Sequence, residues 1–478
     1  MAEQKEFIVA IELGSSKITG IAGQKKPDGS ISVLALVRED SSSFIRKGVV
    51  YNIDKTSQCL SNIVKKLEIQ LKTHIKQVFV GIGGQSIRGV RNSIVRDLPA
   101  DTIITQEMVS SVMDENRTTE YADQQILEVV DLEYRVDSSL QVDPVGIRAS
   151  RLEGNFLNIL MRKSFFQNLS KSFENANISV VEMYVAPLEL ANVVLTEAEK
   201  RSGCTLVDLG ADTTTVAVYS KNKLRHIAVI PLGSSNITKD IASLQMEESD
   251  AESMKLKYGS AYTDNNDIDD TLKYSIDQDR QVESRRFIEI VEGRLEEIIL
   301  NVREQIPQEF YDKLLGGIIL TGGGSNMKNI ENAFRYHTRI DKIRTAKFVT
   351  TTINSGDQAI KRHDAMANTA LGLLQKGYLN CAGGELNTNR DLFDTDNNDR
   401  TADSSATGGT QTPNSGVLAA EKARLEKERL EKERLEQEQK QKELETEAER
   451  LKKKENSTWN RFKTKLKKFG EVIVKEEE

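Results

Sequence analysis

Apolar and polar positions divide the chain into regimes. From the start to about residue 380, short apolar runs such as Phe7-Ile8-Val9-Ala10-Ile11 and Gly317-Ile318-Ile319-Leu320 alternate with segments that are apolar every three or four residues. That alternation predicts strands interleaved with helices, an α/β body. Between 381 and 420 Asn, Asp, Thr, Ser and Gly dominate and apolar positions thin out, which predicts a disordered linker. As a random coil it would span about 35 Å. From 421 to 455 the sequence becomes repetitive, as in RLEKERLEKERLE. Opposite charges recur at i,i+4 in Glu428–Lys432, Lys432–Glu436, Arg434–Glu438 and Glu438–Lys442, which supports an isolated helix roughly 50 Å long. Leu425, Leu430 and Leu435 recur every five residues, so they build no continuous seam and do not favour a coiled coil. The helix reads as a spacer, with a charged, partly disordered tail as the alternative.

The last segment, 456–478, changes period again. Trp459, Phe462, Leu466, Phe469 and Ile473 are spaced 3, 4, 3 and 4 apart. On a helix they fall within a stripe roughly 80° wide. Lys463 and Lys465 flank the stripe, Arg461, Lys467 and Lys468 lie beyond, and no acidic residue occurs from Asn456 to Gly470. This is the pattern of an amphipathic helix lying in a membrane interface, with its cations on anionic headgroups. The competing reading is a helix packed on its own domain or on a partner. Such a foot alone holds modestly; several on one polymer hold firmly through effective concentration.

Composition narrows the function. Of 478 residues, 29% are charged and 38% hydrophobic, with a formal net charge of −7. That acidity argues against nucleic acid as a main partner. Cys59, Cys204 and Cys381 match no metal or disulfide spacing. Met1 to Phe7 is charged and lacks the apolar core of a signal peptide, and no apolar run reaches the roughly 18 residues of a transmembrane helix.

Three loops carry candidate chemistry. In the first, an apolar run leads into Glu12, then Gly14, Ser15, Ser16 and Lys17, then another strand-like run. Glycine lets a phosphate approach the backbone, hydroxyls and N–H groups donate, and a carboxylate can hold hydrated Mg²⁺. The second, Cys204 to Tyr219, repeats the plan with Asp208, Gly210, Thr213 and Thr214, about 195 residues further on. That repetition suggests a duplicated domain clasping one nucleotide. The third is a strand ending in Gly322, Gly323 and Gly324 before a helical stretch, Lys328 to Phe334. Alone each loop is ambiguous; their order and intervals are more specific.

These residues resemble the actin-like ATPase superfamily. The Glu12–Lys17 and Asp208–Thr215 hairpins are similar to its two phosphate loops and Gly322–Gly324 to its adenosine motif. Ala186–Val194 and His363–Leu374 look like its connecting helices. Within the superfamily, APLELANVVLTEAEKRSGCTLVDLGADTT, DAESMKLKYGSA and SVVEMYVAPLELA most resemble the FtsA family of bacterial division proteins. The resemblance covers roughly 7 to 378 and resumes at the C-terminal helix. It implies a duplicated ribonuclease-H-like fold of two lobes, 1–83 with 162–200 and 201–237 with 316–380. It also implies an inserted small subdomain at 84–161 and a second small subdomain at 238–315.

The resemblance implies ATP and Mg²⁺ as cofactors. Glu12 and Asp208 would position the metal, Gly14 to Lys17 with Gly210, Thr213 and Thr214 the phosphates, and Gly322 to Gly324 the nucleoside. Glu252 and Lys255 would contact adenine or ribose, though by spacing alone they are an ordinary i,i+3 pair. The implied partners are the C-terminal peptide of FtsZ, further copies of the chain in a filament, later division proteins and anionic lipid. Arg285, Arg286 and above all Arg294 are the candidate peptide contacts. The implied location is the inner face of the membrane at the division septum. Glu12 stands where the superfamily usually has Asp, Ala211 and Asp212 replace a glycine pair, and so do Ser234 and Ser235. These departures imply nucleotide binding with slow or absent hydrolysis. The alternatives are a pilus-assembly or shape-determining relative and a small-molecule kinase of the same fold.

Overall fold

Ile8–Leu13 is apolar at five of six positions and buried everywhere except at Glu12. A strand buried on both faces belongs at the centre of a sheet. In the computed structural model, which describes residues 6–383, it pairs antiparallel with Lys17–Lys25 and parallel with Gln77–Ile82. The complete sheet runs Ser179–Val185, Gln77–Ile82, Ile8–Leu13, Lys17–Lys25, Ile31–Asp40, Ile353–Asn354. Helix Ile53–Leu71 packs on Lys17–Lys25 and Ile31–Asp40. Helix Asn368–Lys376 packs on Ile8–Leu13, Lys17–Lys25 and Gln77–Ile82, and on helix Ala186–Val194. Ile8, Ile11, Ile18, Ile21 and Phe79 are essentially fully buried there, each worth about 1.5–3 kcal/mol against exposure.

The second sheet repeats the plan. Cys204–Leu209 pairs antiparallel with Thr214–Ser220, which pairs with Lys223–Ile230, and parallel with Gly317–Thr321, beyond which lies Ile343–Thr345. Three meandering strands followed by two parallel ones thus occur twice, which is the duplicated, actin-like architecture that the repeated loops imply.

The strands of the insertion, Arg88–Ile103, Gln124–Val136, Ser139–Gln141 and Arg148–Arg162, enter the sequence from the first lobe but extend the sheet of the second. One backbone pairing, Ala228 with Arg88, joins them. Ion pairs Lys223–Asp131 at 2.6 Å and Arg225–Glu133 at 2.7 Å brace the junction. Helix Gln106–Arg117 closes a separate small core around Val112, Leu152 and Phe156. The second small subdomain packs helices Ser234–Ala242, Glu248–Tyr258 and Ser284–Glu304 around Ile241, Met254, Phe287 and Leu295.

Three boundaries differ from the sequence expectation. The helix expected over His363–Leu374 begins only at Asn368, because His363 and Ala365 adopt left-handed conformations with φ of 49° and 60°. The helix expected from Lys328 begins at Ile330, after a 3₁₀ turn over Gly323–Asn326 and a left-handed Asn329. Cys381, assigned to the linker, is buried in the first lobe: its N–H donates to Phe7 O at 2.8 Å and its carbonyl accepts from Lys76 N at 2.9 Å. The linker from 384 on, the charged helix over 421–455 and the amphipathic helix with Trp459, Phe462, Lys463, Lys465, Leu466, Phe469 and Ile473 lie outside the described residues. Among the described residues no helix is long and apolar enough to cross a membrane.

Candidate functional site

The two hairpin turns are built alike. Gly14 N donates to Lys17 O at 3.0 Å, and Gly210 N donates to Thr213 O at 2.9 Å. In both, a Cβ on the glycine would stand 2.8 Å from that same carbonyl oxygen, so the turn excludes a side chain. The turns face one another. The charge of Asp208 reaches Glu12, and Lys47 N, beyond the first hairpin, donates to Asp212 Oδ2 at 3.2 Å. The carboxylate that replaces a glycine in the second loop is therefore tied to the opposite lobe's backbone.

Burial raises the Glu12 pKa to about 7, and the neighbouring Asp208 adds to it against the opposing pull of Lys17 and Arg38. Burial likewise raises Asp208 to about 6. Two buried carboxylates on facing turns are the donor chemistry that suits a cation. Among the described residues no group of three or more His, Cys, Asp and Glu converges. Two carboxylates alone would fit a hydrated Mg²⁺ whose remaining ligands would be water and phosphate oxygens, the usual habit of that ion.

The other expected residues fall into place unevenly. Ser15 is buried and its Oγ accepts from Gly48 N at 2.8 Å, while Ser16 is exposed at the tip of the turn. Lys17 is half-buried; burial, and then the charge of Arg38, push its pKa down. Thr213 is partly exposed at the second turn. Thr214 departs from expectation: it is fully buried and its hydroxyl donates to Leu232 O at 2.9 Å, which commits it to the fold rather than to a phosphate wall. Thr213 lies in the turn, whereas Thr214 opens a strand that is buried at its first six positions.

Gly322 presses its backbone against the second hairpin: a Cβ there would lie 2.2 Å from Asp208 Oδ1 and 2.7 Å from Leu209 O. At Gly323 a Cβ would meet only Met366, at 3.6 Å from Cγ and 3.7 Å from Sδ. Helix Ser234–Ala242 abuts the second loop, with Ser234 N donating to Gly210 O at 3.0 Å and Ser235 N to Ala211 O at 2.8 Å. Behind it Lys255 is buried, with its ammonium donating to Ser234 O at 3.1 Å and Thr238 Oγ1 at 2.8 Å and pairing with Glu252 at 2.7 Å. Its three donors are thereby occupied, and Glu252 is the half-exposed member of the pair.

Four residues around the first hairpin were not singled out from the sequence. A side-chain hydrogen bond from Thr369 reaches Glu12, and Arg38, Asp364 and Met366 surround Lys17. Thr369, Asp364 and Met366 come from the segment entering the second connecting helix, where the sequence offers no glycine or hydroxyl signature.

The arginines proposed as partner contacts do not gather into one patch. On helix Ser284–Glu304, positions 285 and 294 are half a turn apart in azimuth. Arg285 grips Asp270 with two bonds, at 2.6 and 2.8 Å. Arg286 is exposed. Arg294 grips Asp240 at 2.5 and 3.1 Å and also pairs with Glu297. It lines a surface cavity of about 370 Å³ with Asp240, Ser243, Ile290, Gly293 and Glu297. None of the phosphate-loop residues lines this cavity, so it is a separate surface from the cleft.

Repeated hairpins closing on one cleft, joined by two packed helices, define a two-lobed actin-like protein. Among solved structures, a PilM-PilN type IV pilus biogenesis complex aligns over 78% of this chain and 99% of that one, with a TM-score of 0.55 at 15% identity. The family model for Cell division protein FtsA matches residues 205–369, and that for the SHS2 domain inserted in FtsA matches 84–160. Cell division protein FtsA of Porphyromonas gingivalis is 30% identical over 389 residues, 80% of each chain. That of Neisseria meningitidis serogroup B is 31% identical over 372 residues, 73% of this chain and 89% of its own. The chain belongs to the FtsA family.

Proposed function

We propose that this division protein binds MgATP between its two hairpins, assembles with further copies of itself, and ties FtsZ filaments to the inner face of the cytoplasmic membrane. The observation that carries the nucleotide reading is the matched pair of glycine turns with Glu12 and Asp208 facing each other. Gly14 to Lys17 and Gly210 to Thr213 would hold the phosphates, and the backbone at Gly322 to Gly324 the nucleoside. Mg²⁺ would supply positive charge between the carboxylates and the outer phosphates. Lys17 would add a point charge, and Glu12 and Asp208 would hold the metal's waters. Asp212 accepts from Lys47 N across the lobes; turnover is expected to be slow or absent, so that a bound nucleotide would act as a latch between them.

The adaptor reading is supported by family membership, by the cationic, apolar stripe from Trp459 to Ile473, and by the cavity at Arg294. An acidic and apolar peptide would lay its apolar residues near Ile290 and compete with Asp240 or Glu297 for the guanidinium. Equilibrium binding of fluorescent ATP with Mg²⁺ tests the cleft. Loss of binding in Lys17→Ala supports the assignment, and undiminished binding in both Lys17→Ala and Asp208→Asn moves the site elsewhere.

A further inference from the structure

Arg38 lies two strands from the first turn, yet the register carries it into the cleft. Glu12 pairs with Thr19 across the first hairpin, and Thr19 pairs with Arg38 across the next. Opposed residues on neighbouring strands project to the same face, so Glu12, Thr19 and Arg38 form one row. Lys17, two residues before Thr19, shares the face. Here the segment leading into helix Asn368–Lys376 covers the row: Arg38 Nη2 donates to Met366 O at 3.4 Å, and Lys17 Nζ contacts Met366 Sδ at 3.2 Å. Arg38 Nε is buried and has no hydrogen-bond partner.

This is a poor resting place for two cations. A thioether is a weak acceptor, and a bond of 3.4 Å is at the limit of a useful one. Arginine carries five donors in a rigid fork suited to phosphate oxygens. The carboxylates of Glu12 and Asp364 pull on these cations, but Arg38 Nε donates to neither, and Asp364 also lies 3.5 Å from Arg362. The two cations also repel each other. An anion between them would supply acceptors for the idle donors and offset the repulsion.

We propose that Arg38 is a second cationic arm, beside Lys17, for the outermost phosphate of a nucleotide in this cleft, and that it makes the cleft favour a nucleoside triphosphate over the diphosphate. The proposal rests on the nucleotide reading above. Removing Arg38 acts on the triphosphate complex and leaves the diphosphate complex nearly untouched, because the outermost group is absent from the latter.

The test uses the full chain with Mg²⁺, titrated separately with ADP and with a β,γ-imido ATP analogue. In Arg38→Gln the affinity for the analogue is expected to fall tenfold or more while that for ADP stays within about twofold; Arg38→Lys should lie between. A proportional fall for both nucleotides, or no change for either, overturns the proposal. Should Arg38→Gln not fold, Arg38→Lys carries the test: an unchanged analogue-to-ADP ratio in that variant overturns it equally. A parent chain that binds neither nucleotide overturns the cleft reading and this proposal with it. A parent that binds both, with indifferent Arg38 variants, overturns this proposal alone.

Discussion

Replacing Gly322 by alanine places a methyl 2.2 Å from Asp208 Oδ1 and 2.7 Å from Leu209 O, where carbon needs about 3.5 Å. The backbone at this position has φ 83° and ψ 169°, a region that side-chain-bearing residues enter at a cost of about 1–3 kcal/mol. Relief of the overlap adds about 1–3 kcal/mol. One of the two colliding groups is backbone and cannot yield, so the other, the Asp208 carboxylate, must move. Gly322→Ala should therefore lose about 2–6 kcal/mol, a fall in Tm of roughly 3–8 °C, and MgATP should give it little thermal protection. Gly323→Ala is the internal control: its methyl meets only Met366, at 3.6 and 3.7 Å, and its Tm should stay within about 2 °C of the parent. Thermal unfolding of the three proteins with and without MgATP reads both effects. A Gly322→Ala protein as stable and as well protected by MgATP as the parent would refute the packing of this loop against Asp208.

The raised pKa of Glu12 has a definite sign. The native state holds that proton more tightly than the unfolded chain, so the contribution is fully present below about pH 4.5 and is lost as pH rises through about 7. The loss is about 3 kcal/mol, and it should appear as a difference in urea midpoints between pH 5 and pH 8 that shrinks in Glu12→Gln and on adding MgATP. Arg294 is partly neutralised by Asp240 and Glu297. Asp240→Ala is therefore expected to tighten binding of an acidic FtsZ C-terminal peptide several-fold, and Arg294→Ala to abolish it, as read by fluorescence anisotropy. Equal weakening in both variants would mean that the pair only shapes the cavity.

The hairpins were legible because glycine at the end of a largely apolar run announces a turn at the end of a central strand, and because the motif occurs twice. The packed connecting helix Ala186–Val194 was legible to the residue, with Pro187 near its start. What escaped depends on which strands become neighbours. Arg38 lies near the end of an alternating strand, and only the Glu12–Thr19–Arg38 row, a product of sheet register, brings it to the first turn. Thr214 escaped for the opposite reason: a cluster of three threonines suggests one hydroxyl surface, while only Thr213 lies in the turn and Thr214 already belongs to a central strand buried on both faces. The late start of helix Asn368–Lys376 turns on the left-handed His363 and Ala365, conformations that non-glycine residues do not advertise. Arg285 and Arg294 share a helix in the sequence but opposite sides of it in space, each with its own carboxylate partner.

The most direct test of the adaptor is flotation of FtsZ on anionic vesicles with ATP, in the presence of the full chain or of a chain ending at Glu455. The account predicts that FtsZ floats with the full chain and stays at the bottom with the shortened one. FtsZ floating equally with both would place membrane attachment outside the Trp459–Ile473 stripe. FtsZ floating with neither, while the full chain itself floats, would contradict its role as the link between filament and membrane.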